Sequence, residues 1–126
     1  MKHNTMLIVA SLLSLLFLTL HVTDDIVRGI SKAESSNTAL LVLAVLLYGT
    51  LVLPHTRSGH IIMLVIGLFA AAMPVMHMRG AHYGEIAKSP GGFFFVWTLW
   101  VLGGLGDFTM ILAARGLWDL RRTQAQ

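Results

Sequence analysis

Four apolar runs, at about residues 5–22, 38–53, 60–78 and 93–114, set the terms on which this chain can fold. A bilayer core of about 30 Å is crossed by ~20 residues of helix, and each run approaches that length. Helices satisfy their own backbone polar groups, which an apolar solvent demands. Composition agrees with this reading. Apolar residues make up 56% of the chain and charged residues 12%, with a mean hydropathy of +0.74, too apolar and too charge-poor for a soluble domain of this size. The expectation is an all-α membrane protein, a four-transmembrane-helix up-and-down bundle forming a single integral membrane domain over residues 1–126.

The connections constrain the topology further. Residues 54–60 start with Pro54 and include Gly59, a tight connection that makes the second and third spans antiparallel neighbours. Residues 29–37 and 79–92 read as polar loops, with Asn37 or Thr38 capping the second helix. The first and third spans therefore run the same way and end on the same side. Lys2 and the first apolar run have the outline of a signal peptide. Leu20-His21-Val22-Thr23 offers no small-residue cleavage site, so the first helix is expected to stay.

Charge suggests an orientation. Lys2, Arg57, Arg115, Arg121 and Arg122 fall on one side, and Arg28, Lys32, Arg79 and Lys88 on the other, beside Asp24, Asp25, Glu34 and Glu85. The bias favours both termini inside, in the cell (inner) membrane. The net charge of +3 is carried by residues that flank apolar runs, which marks topology and not a nucleic-acid footprint. The expected partners are the lipid bilayer and either further copies of the chain or a larger membrane complex. With no cysteine, disulfides, thiolate metal sites and thiol catalysis are excluded.

Chemistry is concentrated in two places. The first follows the first span, where His21, Asp24, Asp25 and Arg28 share one helix face if the helix continues through them. The end of the third span brings Met73, Met76, His77, Met78, Arg79 and His82 to the same side, with Glu85 behind them. Imidazole and carboxylate suit Zn, Fe or Mn, and methionine with histidine suits Cu(I), so His21, His77 and His82 are candidate metal or haem ligands. No ligand-pair spacing is diagnostic: His77 and His82 are five apart. The plainer reading solvates these groups at the membrane surface, with the acids paired to Arg28 and Arg79. His55 and His60, flanking Arg57, read as surface groups.

The second place is Asp107, an acid well inside the fourth apolar run. Gly103, Gly106, Met110 and Ala114 share its side, and small residues mark contact faces in a bilayer, so Asp107 is expected to face the interior. Its candidate partners are Ser11, Ser14, Tyr48, Thr50, Arg57 and His60. The third span offers a matching small face in Gly67, Ala70, Ala71 and Pro74, with a kink expected at Pro74. The Gly103–Gly106 stretch lacks the Lys-Ser/Thr of a phosphate loop, and no serine has a nucleophile-elbow context.

Three functions fit these residues. The one that asks least of them is a non-enzymatic accessory or oligomer-forming subunit, or a small-solute transporter, with a polar cluster at one membrane face and one intramembrane acid. The second is a membrane-embedded metal- or haem-binding protein using His21 with His77 or His82. The third is a small membrane enzyme using His21, Asp24 and Asp25. No known family's motifs match: small multidrug transporters share only the size and the span number. Their key acid lies in the first span, whose apolar part has none here.

Overall fold

The computed structural model describes residues 3–30, 33–80 and 82–124. Five helices account for most of them: α1 (His3–Val27), α2 (Ala33–Leu51), α3 (Arg57–Met78), α4 (Tyr83–Lys88) and α5 (Gly92–Gln124), with no strand among the described residues. Three of these, α1, α3 and α5, are long and apolar enough to cross a membrane. The apolar part of α2, Asn37–Leu51, is shorter.

Helix boundaries differ from expectation where local chemistry competes with hydropathy. The first loop is shorter than residues 29–37, because α2 already begins at Ala33, so neither Asn37 nor Thr38 starts it. Gly29 ends the preceding segment with φ +70°, the left-handed conformation glycine adopts without strain. Thr56 caps α3 by accepting the Gly59 N–H at 3.1 Å, which starts that helix three residues before the apolar run. The second loop contains α4, and α5 continues unbroken past Ala114. Lys2 and Lys32 lie outside the described residues, as does the side chain of Glu34.

The closest packing joins α3 to α5. A methyl group on Gly67 would lie 3.0 Å from the Gly106 carbonyl oxygen, and one on Gly106 would lie 2.8 Å from the Ala70 carbonyl carbon. Only glycine lets the two backbones approach this far. Pro74 stays within a continuous α3, its ring set against Gly103. On its other side α5 packs on α1, and α2 bridges α1 and α3. The apolar core holds Leu7, Leu46, Met63 and Ala113 towards one end, and Leu18, Ala70 and Leu102 towards the other. Of the described side chains of α2, the buried ones are Leu46, Gly49 and Thr50 near its C-terminus, while Leu40 and Leu41 stay exposed.

The inward face of α1 carries polar groups between its leucines, and each finds a partner across a helix boundary. Ser11 Oγ lies 2.6 Å from Thr50 Oγ1, and Ser14 Oγ 3.1 Å from Thr109 Oγ1. Thr50 and Ser14 donate back to the carbonyls of Leu46 and Ala10. Three of the hydroxyls expected near Asp107, Ser11, Ser14 and Thr50, and one further threonine, Thr109, are thus spent on one another. Asp107 is on the outer surface of α5, exposed, with no hydrogen-bond partner among the described residues. The expectation that it faces the interior is therefore corrected. The small face that meets α3 is Gly103 and Gly106, and the residue after Gly106 is turned about 100° away from it by the helical repeat.

Candidate functional site

Past Leu18 the inward face of α1 continues as His21 and Asp25, four residues and so one turn apart. His21 is fully buried. From α3, one turn after Met73, comes His77. His21 Nε2 lies 3.4 Å from His77 Nε2, and Asp25 Oδ2 lies 3.9 Å from the first nitrogen and 3.5 Å from the second. Among the described residues these are the one set of three such groups whose donor atoms already lie within 4.8 Å of one another.

The hydrogen bonds behind the two rings decide what they present. His77 Nδ1 is 3.1 Å from the Met73 carbonyl oxygen, which can only accept, so Nδ1 carries the hydrogen. In the neutral ring Nε2 is then a lone pair aimed at Asp25 and His21. On the other side, the Thr98 hydroxyl donates to the Phe94 carbonyl at 2.9 Å and leaves its own lone pair for His21 Nδ1 at 3.5 Å. That assigns His21 the same tautomer. Two imidazole lone pairs and a carboxylate oxygen thus converge on one point. Asp25 Oδ1 is buried and without a partner. Such a set repels itself unless a positive charge, a proton or a metal ion, stands in the middle.

Phe95 closes the site from α5. It is 1% exposed, with its ring centroid 5.2 Å from that of His21 and 5.7 Å from that of His77. Phe95 and Thr98 went unread in the sequence, where they are two more residues of an apolar run. The signal was there in the spacing: 95, 98, 102, 106, 109 and 113 recur at helical intervals and all are buried.

Asp24 and Arg28 play a different part. Arg28 Nε donates to Asp24 Oδ2 at 2.7 Å, Nη1 to Ser89 Oγ at 2.9 Å and Nη2 to the Pro90 carbonyl at 3.5 Å. The guanidinium also lies 5.8 Å from the Phe95 ring centre. It ties the end of α1 to the turn before α5 and holds Phe95 over the histidines. Asp24 is committed to this tie, so His21, Asp24 and Asp25 do not face a common space.

The remaining sequence candidates stand apart. His82 is exposed and paired with equally exposed Glu85 at 3.3 Å. Arg79 is exposed and makes no ion pair among the described residues. Met73 packs into the core, and Met76 and Met78 are exposed. His77 and Phe95 do share a cleft of about 270 Å³ with Ile30, Met76, His82 and Tyr83, open to the outside. At the far end, His60 is 2% exposed and not a surface group. Comparison with known proteins finds no matching family model, no matching curated protein and no matching solved structure.

Proposed function

We propose that this chain is a membrane-embedded metal-binding protein that holds a divalent, zinc-like cation with His21 Nε2, His77 Nε2 and Asp25 Oδ2. One observation carries the reading: three donors of the right type converge with all their lone pairs inward. The distances suit an ion. A tetrahedral zinc with bonds of about 2.0–2.1 Å holds its donors ~3.3–3.4 Å apart, against 3.4, 3.5 and 3.9 Å here. The second bonds of the histidines, to the Met73 carbonyl and the Thr98 hydroxyl, are of the kind that orients metal-ligating imidazoles. Two nitrogens and one oxygen, with no sulfur among them, favour Zn or Fe(II) over Cu(I). The cleft beside His77 offers a fourth ligand, such as water, its way in. The two rings are T-shaped with centroids 4.9 Å apart, which leaves no slot between them for a haem.

The setting belongs to the same proposal. We read α2 as a fourth crossing beside α1, α3 and α5, with both termini cytoplasmic, because Arg57, Arg115, Arg121 and Arg122 gather at the end away from His21. The metal then sits at the outer face of the inner membrane. The exposed acid on α5 supports assembly with a second copy, since a carboxyl facing lipid is costly without a polar neighbour.

The test is a Zn²⁺ titration of the purified, chelator-stripped protein in detergent, repeated with Co²⁺, whose visible spectrum reports tetrahedral nitrogen and oxygen ligation. His77→Gln and Asp25→Asn should each remove one equivalent of bound metal and the part of the Co²⁺ band that it contributes. Metal uptake that is absent in the wild type, or unchanged in both variants, would sink the proposal. What would then remain is a proton shared among the three groups.

A further inference from the structure

The end of the bundle away from His21 has the same unusual signature. Among the described residues, three buried side-chain nitrogen or oxygen atoms lack a hydrogen-bond partner. One is Asp25 Oδ1; the other two are His60 Nε2 and His3 Nε2. We infer that these two nitrogens mark a second site for a divalent transition-metal cation, with Asp119 supplying its negative charge.

His60 Nδ1 lies 2.8 Å from the Thr56 carbonyl oxygen, in the first turn of α3. That oxygen can only accept, so Nδ1 carries the hydrogen and Nε2 is the lone pair of the neutral ring. It is the arrangement His77 has with Met73. The ring edge that carries His60 Nε2 lies against Gly116 of α5. A methyl group on Gly116 would collide with the His60 ring and would lie 3.4 Å from His3 Nε2, so the imidazole sits in the gap that residue 116 leaves by having no side chain, and both nitrogens lie close to it. The gap opens into a pocket of about 220 Å³ lined by His3, Asn4, His55, His60, Asp119 and Thr123. Asn4 Nδ2 donates to His55 Nδ1 at 2.8 Å, which holds the α2–α3 turn against the start of α1 and closes one wall.

Two imidazoles with a carboxylate in reach are the donor set of a borderline cation. Asp119 is exposed, so its carboxylate swings in without breaking a buried contact. The acid matters, because two neutral rings alone would leave the ion's charge unopposed. A water donating to both nitrogens is the competing occupant.

The two sites are separate. His3 and His21 are 18 residues apart on α1, or ~27 Å by helical rise. Leu7 and Met63, both fully buried, fill the core just inside the His3 site, and Leu18, Ala70 and Leu102 do so below His21. The inner inference therefore stands or falls independently of the His21 reading.

The experiment counts bound metal. The purified full chain in detergent is stripped with chelator, equilibrated with Zn²⁺ and analysed for bound metal per chain. The wild type should hold two equivalents. His60→Gln should drop this to one, with the remaining ion lost when His21→Gln is added, and His21→Gln alone should leave one. His3→Gln, at the start of a helix, serves if His60→Gln does not fold. A wild type that holds a single ion abolished by His21→Gln would overturn the inner site and keep the outer one. A single ion abolished by His60→Gln would do the reverse. No bound ion, or two ions retained in His60→Gln and His3→Gln, would also overturn it.

Discussion

Asp25 and Asp107 are both acids in apolar stretches, and they meet opposite fates. Asp25 sits one turn beyond His21, its carboxylate 15% exposed, faced by two imidazoles and shielded by the Arg28 tie. Asp107 lies some 22 Å along α5 from Gly92 by helical rise, well within the apolar length, yet it points outward with no partner among the described residues. Depth along a helix does not decide what an acid does. The face decides, and the face is set by which neighbours pack. On α1 the packed face runs His3, Leu7, Ser11, Ser14, Leu18, His21 and Asp25, and Ser11, Ser14 and His21 on it acquire partners from α2, α5 and α3. On α5 the packed face runs through Gly103 and Gly106, and Asp107 misses it by one residue.

The sharpest way to break this contrast is to neutralise each acid in turn. Asp25→Asn keeps the shape and removes the charge, so the outer metal affinity should fall by more than the ~10–100-fold that loss of a supporting hydrogen bond costs. Asp107→Asn should leave that affinity where it was. Equal losses in a Zn²⁺ competition assay would mean that the two acids act together. Next in size is Thr98→Val, which keeps the packing and deletes the group that orients His21. It should weaken outer-site binding by ~10-fold, with the Co²⁺ band broadened and not abolished. Binding untouched by Thr98→Val would show that the 3.5 Å contact does not fix the tautomer.

Much of the architecture was legible in the sequence. Three of the four apolar runs match helices of membrane-crossing length, and the small faces of the third and fourth runs do meet, Gly67 against Gly106. The offset of four from His21 to Asp25 places them on one face by arithmetic alone. What periodicity could not resolve was the choice between neighbours about 100° apart on a helix. Asp24 and Asp25 are one such pair: Asp24 goes to Arg28 and Asp25 to the histidines. Gly106 and Asp107 are another. Gly103 and Gly106 lie near enough to Asp107 to suggest a shared face, and only the packing of Pro74 on Gly103 fixes the true centre of the seam. His60 was misread because a short turn usually exposes its residues. Here Gly116 leaves a gap across the bundle that the imidazole fills, and no local pattern reports that.

Arg28→Ala should have a smaller effect on metal than Thr98→Val, because Arg28 touches no proposed ligand. It leaves Asp24 unpaired and frees the turn at Ser89 and Pro90. Loss of charge-assisted hydrogen bonds of this kind costs about 1–3 kcal/mol. The variant should therefore unfold at lower denaturant concentration while binding Zn²⁺ with little change. A loss as large as that of Asp25→Asn would mean that Arg28 controls the site and not just the loop over it.

The smallest effect on metal, and the most informative about the second acid, is expected from Asp107→Leu. Trp100, Gly104, Asp107, Ile111, Ala114 and Trp118 follow one another at intervals of four and three and are all exposed. That is the spacing of a helix–helix seam with one polar position, the kind of position that sets register. A methyl group on Gly104 would meet nothing within 4 Å, so the seam has room for another backbone. If a second copy occupies it, the two Asp107 side chains face each other across the interface and not the lipid, which lowers the cost of their position. Asp107→Leu should then leave Zn²⁺ binding at both ends unchanged and shift the protein from dimer towards monomer in mild detergent, read by light scattering or cross-linking. Asp107→Asn, which can hydrogen-bond across the same seam, should keep more of the dimer than Asp107→Leu does. A chain that is monomeric throughout, or a dimer indifferent to both changes, would remove the second copy from this face and leave Asp107 as an acid in contact with lipid alone.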